Sequence, residues 1–86
     1  MYLNDYGPYV EVLPNGTKNY YLHGQRHRKD GPATEWADGS KYYYLHGELH
    51  RVDGPAVEYP SGNKSYYLHG KYYSKELWAQ AVKELS

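Results

Sequence analysis

Three groups of side chains in this chain have types and spacings that could do chemistry. The first is histidine. His23 and His27, and again His46 and His50, stand four positions apart, the spacing that presents two metal ligands on one face of a helix. A glycine lies between the members of each pair, at Gly24 and Gly47, and a turn there removes the helical geometry. No third ligand with suitable spacing follows, so no metal is expected. The second group is Glu35, Tyr44 and Arg51, an acid, a phenol and a cation that could serve proton transfer. The simpler reading is a cross-strand ladder of weak contacts. The third group is the basic run Arg26-His27-Arg28-Lys29 beside tyrosines, which could hold a nucleotide or single-stranded nucleic acid by stacking and charge. The simpler reading is a charged strand edge that discourages sheet-to-sheet aggregation. Neither a Gly-rich phosphate loop with a following lysine nor a Gly-x-Ser-x-Gly elbow is present. A catalytic site needs one unique constellation, whereas these histidines and arginines recur. The expectation is a protein that is not an enzyme and needs no cofactor.

Recurrence is the dominant feature of the sequence. Tyr-Leu-His-Gly occupies 21–24, 44–47 and 67–70, and Asp-Gly-Pro-Ala occupies 30–33 and 53–56, in both cases at intervals of 23. Asn15-Gly16, Asp38-Gly39 and Ser61-Gly62 keep the same period. Glu35 and Glu58 keep it too, but Glu11 lies one residue early. Self-similarity of this length marks a repeat array in which each unit touches mainly its neighbours.

Each unit reads as a β-hairpin, since Asn-Gly or Asp-Gly between Tyr- and Val-rich runs is a strong hairpin signal. A two-residue turn at Asp38-Gly39 pairs Trp36 with Lys41 and Thr34 with Tyr43, and the third unit likewise pairs Tyr59 with Lys64 and Val57 with Tyr66. In the first unit a three-residue loop, Pro14-Asn15-Gly16, absorbs one extra residue and pairs Val10 with Tyr20 and Tyr9 with Tyr21. This register gives a core face of Val10, Val12, Thr34, Trp36, Val57 and Tyr59 beside Tyr20, Leu22, Tyr43, Leu45, Tyr66 and Leu68. The wet face then carries Glu11, Glu35 and Glu58 with Tyr21, Tyr42, Tyr44 and Tyr67. The His-Gly pairs form a second set of turns, because histidine tolerates the left-handed region better than most residues. Proline in Asp-Gly-Pro belongs at a strand end or bulge.

The pattern stops after Gly70. Residues 74–86 read as a capping helix, with Ser74 as N-cap, Glu76 in the first turn and an apolar stripe of Leu77, Trp78, Ala81, Val82 and Leu85. The expected fold is therefore mainly β. It is an antiparallel meander of six or seven short strands over 7–73, one elongated sheet closed by a C-terminal helix, all within one domain, 1–86.

The string Tyr-Tyr-Leu-His-Gly-x-x-His-Arg-x-Asp-Gly-Pro-Ala resembles the MORN-variant-like repeats of bacteriophage and large-virus proteins, over residues 5–73. Those relatives carry Asn-Gly where this chain has His-Gly. The Gly-x-Gly spacing of ordinary MORN units is absent, so their lipid associations do not carry over. The resemblance implies an elongated hairpin sheet used for protein–protein contact, in a phage accessory protein that meets a bacterial host protein.

Composition agrees with a thin, tyrosine-built domain. The 86 residues include 13 Tyr and 2 Trp but no Phe and no Cys, and 10 basic side chains balance 10 acidic ones. Neutrality argues against wrapping a nucleic-acid backbone. The lack of cysteine rules out disulfides and thiol chemistry. No apolar run is long enough to cross a membrane. The first ten residues do not read as a signal peptide, so a cytoplasmic setting is expected, that of the host cell under the resemblance. Tyrosine supplies apolar area with a wet hydroxyl, and Tyr and Arg are enriched at binding hot spots. Tyr21, Tyr42, Tyr44 and Tyr67, with Arg28 and Arg51 beside them, form the expected partner-binding surface, with the C-terminal helix as the alternative contact.

Overall fold

The computed structural model describes residues 7–85. The outermost residues of the 1–86 domain, and Ser86 of the expected helix, lie outside them. The hairpin repeat is present. Repeat one is built from β1 (Tyr9–Val12), β2 (Lys18–Leu22) and β3 (Gln25–Arg26). Repeat two holds β4 (Thr34–Glu35), β5 (Lys41–Tyr42), β6 (Tyr44–Leu45) and β7 (Glu48–Leu49), and repeat three holds β8 (Val57–Glu58), β9 (Lys64–Leu68) and β10 (Lys71–Tyr73). Helix α1 (Lys75–Leu85) ends the chain. The main sheet runs β1-β2-β4-β5-β8-β9-β10, with β3 paired to β2, and β6-β7 forms a second, two-stranded piece. All pairings are antiparallel.

The long strand of each repeat is shared. In the first two repeats its first half pairs with the next hairpin, as in Lys18 opposite Glu35 and Lys41 opposite Glu58. Its second half turns back on itself through His-Gly, with Leu22 opposite Gln25, Leu45 opposite Glu48 and Leu68 opposite Lys71. In these turns His23, His46 and His69 have φ of 53, 52 and 51° and the following glycines 78, 82 and 81°. Two successive positive φ values match the right-handed twist of the flanking strands, so the His-Gly reading holds.

The first-unit register also holds: Val10 faces Tyr20 and Tyr9 faces Tyr21. The register expected for the other two units is wrong by one residue. Thr34 faces Tyr42, not Tyr43, and Val57 faces Ser65, not Tyr66. All three loops have the same length. Leu13 bonds to Thr17, Trp36 to Ser40 and Tyr59 to Asn63, backbone N to O, at 2.8, 2.9 and 3.0 Å. A two-residue Asp-Gly turn needs positive φ at both positions, and here only the glycine has it, at 96° for Gly39. Asp38 instead accepts the Ser40 amide on Oδ1 at 2.8 Å, as Asn15 accepts that of Thr17 at 2.9 Å. This local bond fixes a three-residue loop ending in a left-handed glycine. There is no insertion in the first unit, and Glu11 is the structural counterpart of Thr34.

The slip moves side chains between faces. Glu11, Asn19, Thr34, Tyr42, Val57 and Ser65 lie opposite one another in one row. Trp36 and Tyr59, two positions along from Thr34 and Val57, join this face, not a core face. Glu35 and Glu58 leave it for the other side, where Lys18, Glu35, Lys41, Glu58 and Lys64 alternate in sign across the sheet. No single face is the core. The buried apolar residues are Ala33, Ala56, Val57 and Leu68, and Val57 points to the opposite side from the other three. Thr17, Asn19, Thr34 and Ser40 are buried as well. The polar row is internally bonded, Thr34 Oγ1 to Asn19 Oδ1 at 2.9 Å and Asn19 Nδ2 to Glu11 Oε1 at 3.1 Å. The molecule measures 43 × 31 × 18 Å, one sheet with little interior.

Candidate docking surface

The two faces use tyrosine differently. On the lysine–glutamate face each tyrosine has an internal partner. The Arg28 guanidinium lies 3.9 Å from the centre of the Tyr20 ring, and that of Arg51 lies 3.9 Å from Tyr43. Arg51 Nε meets Asp53 at 2.9 Å, while its Nη1 donates to the Pro55 carbonyl at 3.1 Å and to Glu58 at 3.0 Å. Arg28 repeats the set one unit earlier, with Asp30, Pro32 and Glu35 each at 3.2 Å. The Asp-Gly-Pro segment wraps the guanidinium so closely that a Cβ on Gly54 would sit 2.9 Å from Arg51 Cζ. This contact explains the glycine in the repeat. In the third unit the arginine position is Ser74, and Trp78 of α1 takes over, its ring 4.8 Å from Tyr66 and its Nε1 donating to the Arg51 carbonyl at 2.8 Å. Ser74 Oγ accepts the Leu77 amide at 3.3 Å, as its N-cap reading requires.

Grooves of 480 and 320 Å³ lie beside the two arginines, one repeat apart. Tyr20, Leu22, His27 and Arg28 line the first. Tyr43, Leu45, His50 and Arg51, their counterparts 23 residues on, line the second.

The opposite face carries aromatic rings whose partners are one another. Tyr42 stands at the centre, with Trp36 edge-on at 5.6 Å, Tyr59 edge-on at 6.2 Å and Tyr44 stacked at 6.4 Å. The Tyr42 and Tyr59 hydroxyls lie 3.3 Å apart. That bond, with partial burial, pushes the Tyr42 phenol up to about 12, so it stays protonated and able to donate. Trp36 and Tyr59 remain 41% and 42% exposed. Arg26 lies 5.7 Å from the Tyr44 ring. Tyr21 stacks on Tyr9 at 5.0 Å on one side of this cluster, and Tyr67 meets Tyr72 at 5.7 Å on the other.

The fold therefore brings Tyr21, Tyr42, Tyr44 and Tyr67 to one face, as the sequence pattern suggests, and places Arg28 and Arg51 on the other. The correction has a simple cause. Each arginine is drawn to the glutamate of the following hairpin, and the true register puts that glutamate opposite the tyrosine row. Trp36 and Tyr59 were missed for the same reason. The Glu35, Tyr44 and Arg51 trio does not form, because Arg51 pairs with Glu58. The basic stretch divides as well: Arg26 serves the aromatic face while Arg28 is tied down on the other.

Two histidine side chains bond to the backbone of the next repeat. His27 Nδ1 accepts the His46 amide at 2.9 Å, and His50 Nδ1 accepts the His69 amide at 2.9 Å. Among the described residues no three potential ligands gather into a metal site, and no helix is long and apolar enough to cross a membrane. Comparison of the chain with protein-family models, curated proteins and solved structures finds no match.

Proposed function

We propose that the chain is a non-enzymatic protein-binding module whose docking surface is the aromatic face. The observation that carries this reading is the ring cluster around Tyr42. Trp36 and Tyr59 are half-exposed on a rigid strand frame, and neighbouring rings already fix their orientations. Large rigid aromatics with polar tips give contact area at low entropic cost, and a Trp–Tyr cluster is the usual make-up of a binding hot spot. Tyr21, Tyr44 and Tyr67 extend the surface along the repeat axis, and Arg26 adds one cation to it. Arg28 and Arg51 take no part. The partner is a protein, and the resemblance to phage repeats makes it a bacterial host protein met in the host cytoplasm.

The test is affinity capture from bacterial lysate with the full chain and with a Trp36→Ala, Tyr59→Ala double variant. Both positions are exposed, so circular dichroism of the variant should match the parent, and partner recovery should fall at least about tenfold, the loss of one hot-spot residue. Undiminished recovery would remove the aromatic face from consideration. Recovery of nucleic acid alone, with affinity falling steeply as salt rises, would replace the reading with single-strand binding through Arg26 and the rings.

A further inference from the structure

The repeats are joined twice over, and one of the two seams depends on histidine. On the hairpin side of the sheet the joint is the ladder from Lys18 to Lys64, which contains no histidine. On the His-Gly side, the turn of one repeat docks on the short strand of the repeat before it. Gly47 donates to the Arg26 carbonyl at 2.9 Å and Arg28 to that of Tyr44 at 3.2 Å. Gly70 and Arg51 repeat these bonds to Leu49 and Tyr67 at 2.8 and 3.2 Å. The bond between each such pair is made by an imidazole: Nδ1 of His27 takes the His46 amide, and Nδ1 of His50 takes the His69 amide.

An Nδ1 that accepts an amide proton carries no proton of its own, so His27 and His50 are neutral with the proton on Nε2. Protonation turns the acceptor into a donor aimed at another donor. Both rings are buried, at 8% and 9% exposure, and each lies against the imidazole of the turn it holds, 4.5 Å from His46 and 4.3 Å from His69. A proton on both rings of a pair would place two cations in contact. The other charged neighbours differ between seams. His27 also faces Lys29 and His23, which add to the cost of its charge. Near His50 stands Glu48, whose carboxylate is 3.8 Å from His69 Nδ1. Its charge opposes the other two effects on His50 and eases the protonation of that ring.

We propose that these two seams form an acid-operated release, in which protonation of His27 and His50 at Nδ1 undocks the following His-Gly turns while the hairpin side of the sheet stays paired. Burial, then the neighbouring imidazole, holds both groups below the ordinary value of 6.5. A histidine lowered in the folded state stabilises that state above its unfolded value, and the contribution is lost as pH falls through the folded one. The release therefore works from just below neutrality downward, the range in which histidine clusters switch interfaces elsewhere. The undocked turns carry Tyr44 and Tyr67 at their bases, so acid would break the alignment of the aromatic row without unfolding the hairpins.

The test is amide hydrogen exchange by NMR on the full chain between about pH 7 and about pH 5, corrected for intrinsic rates. Protection of the His46 and His69 amides should fall about tenfold, the scale of losing one hydrogen bond, while the Trp36 and Tyr43 amides hold theirs. A His27→Asn, His50→Asn chain keeps an acceptor at the Nδ1 position that does not titrate, and its protection should be flat with pH. Equal pH dependence in that variant, or loss of all amides together, would overturn the proposal. Imidazole ¹⁵N shifts of the parent chain give a check that needs no variant. They should report Nδ1 unprotonated at neutral pH for His27 and His50, and the opposite tautomer would overturn it equally.

Discussion

An arginine that stacks on a tyrosine, grips a carbonyl and meets two carboxylates has committed three of its five N–H donors within the molecule, and that is the state of Arg51. Its fork geometry is the point. Lysine at this position could reach one acceptor as a point charge but could not span Asp53 and Glu58 while lying flat on Tyr43. We expect Arg51→Lys to lower stability by about 0.5–3 kcal/mol in urea titration, the usual range for a destabilising substitution. Asp53→Ala should cost well under about 1 kcal/mol, because that carboxylate is 81% exposed and exposed pairs contribute little. An equal loss in both variants would mean that charge, not shape, governs the site. This arrangement was only half legible in the sequence. The recurrence of His-Arg and Asp-Gly-Pro is plain, but their meeting depends on a loop that folds back to put Arg51 beside Glu58. No strand or helix period encodes such a contact.

At the scale of the element, turn chemistry decided what could be read and what could not. The His-Gly turns were legible because glycine beside a residue tolerant of positive φ leaves few alternatives. The Asp-Gly loop was misread because the same dipeptide also fits a loop one residue longer, once the aspartate side chain bonds to the backbone beyond it. One residue of slip exchanged Trp36 and Tyr59 with Glu35 and Glu58 between faces, and with them the membership of the docking surface. The helix was legible from its cap and stripe, and its closing role from the break in the repeat, but the contact that makes the closure was not. Trp78 performs for Tyr66 what arginine performs for Tyr20 and Tyr43, and it closes the array where the next Asp-Gly-Pro would have begun. None of the helical residues is fully buried, and the Trp78 contacts tie α1 to the sheet. Trp78→Ala should cost about 1–3 kcal/mol, less than the truncation of a fully buried aromatic. It should also free the helix, visible as loss of helical circular dichroism before the sheet signal changes. Retention of the helical signal in that variant would show that the apolar stripe alone suffices.

At the scale of the whole molecule, a sheet only 18 Å through has little room for a hydrophobic core, and among the described residues four apolar side chains are buried. Cohesion comes from neighbour-to-neighbour couplings that recur along the array: the loop ladder, the arginine clamps, the histidine seams, and the row in which Lys18, Glu35, Lys41, Glu58 and Lys64 face one another in alternating sign. Lys41 is the middle member. Its strand, β5, lies between the hairpin of its own repeat and that of the next, so its charge acts on both sides at once. Lys41→Glu sets three glutamates side by side, and like charges directly opposite one another destabilise a sheet by roughly 0.2–1 kcal/mol per pair. Two such pairs should lower the urea midpoint measurably at low ionic strength. Salt near 1 M, where the screening length shrinks to about 3 Å, should restore most of the loss. Lys41→Gln removes the attraction without adding repulsion and should lie between the two. If the reversal leaves the midpoint unchanged at low salt, the alternation contributes nothing to cohesion. The array would then rest on its backbone ladders, arginine clamps and histidine seams alone.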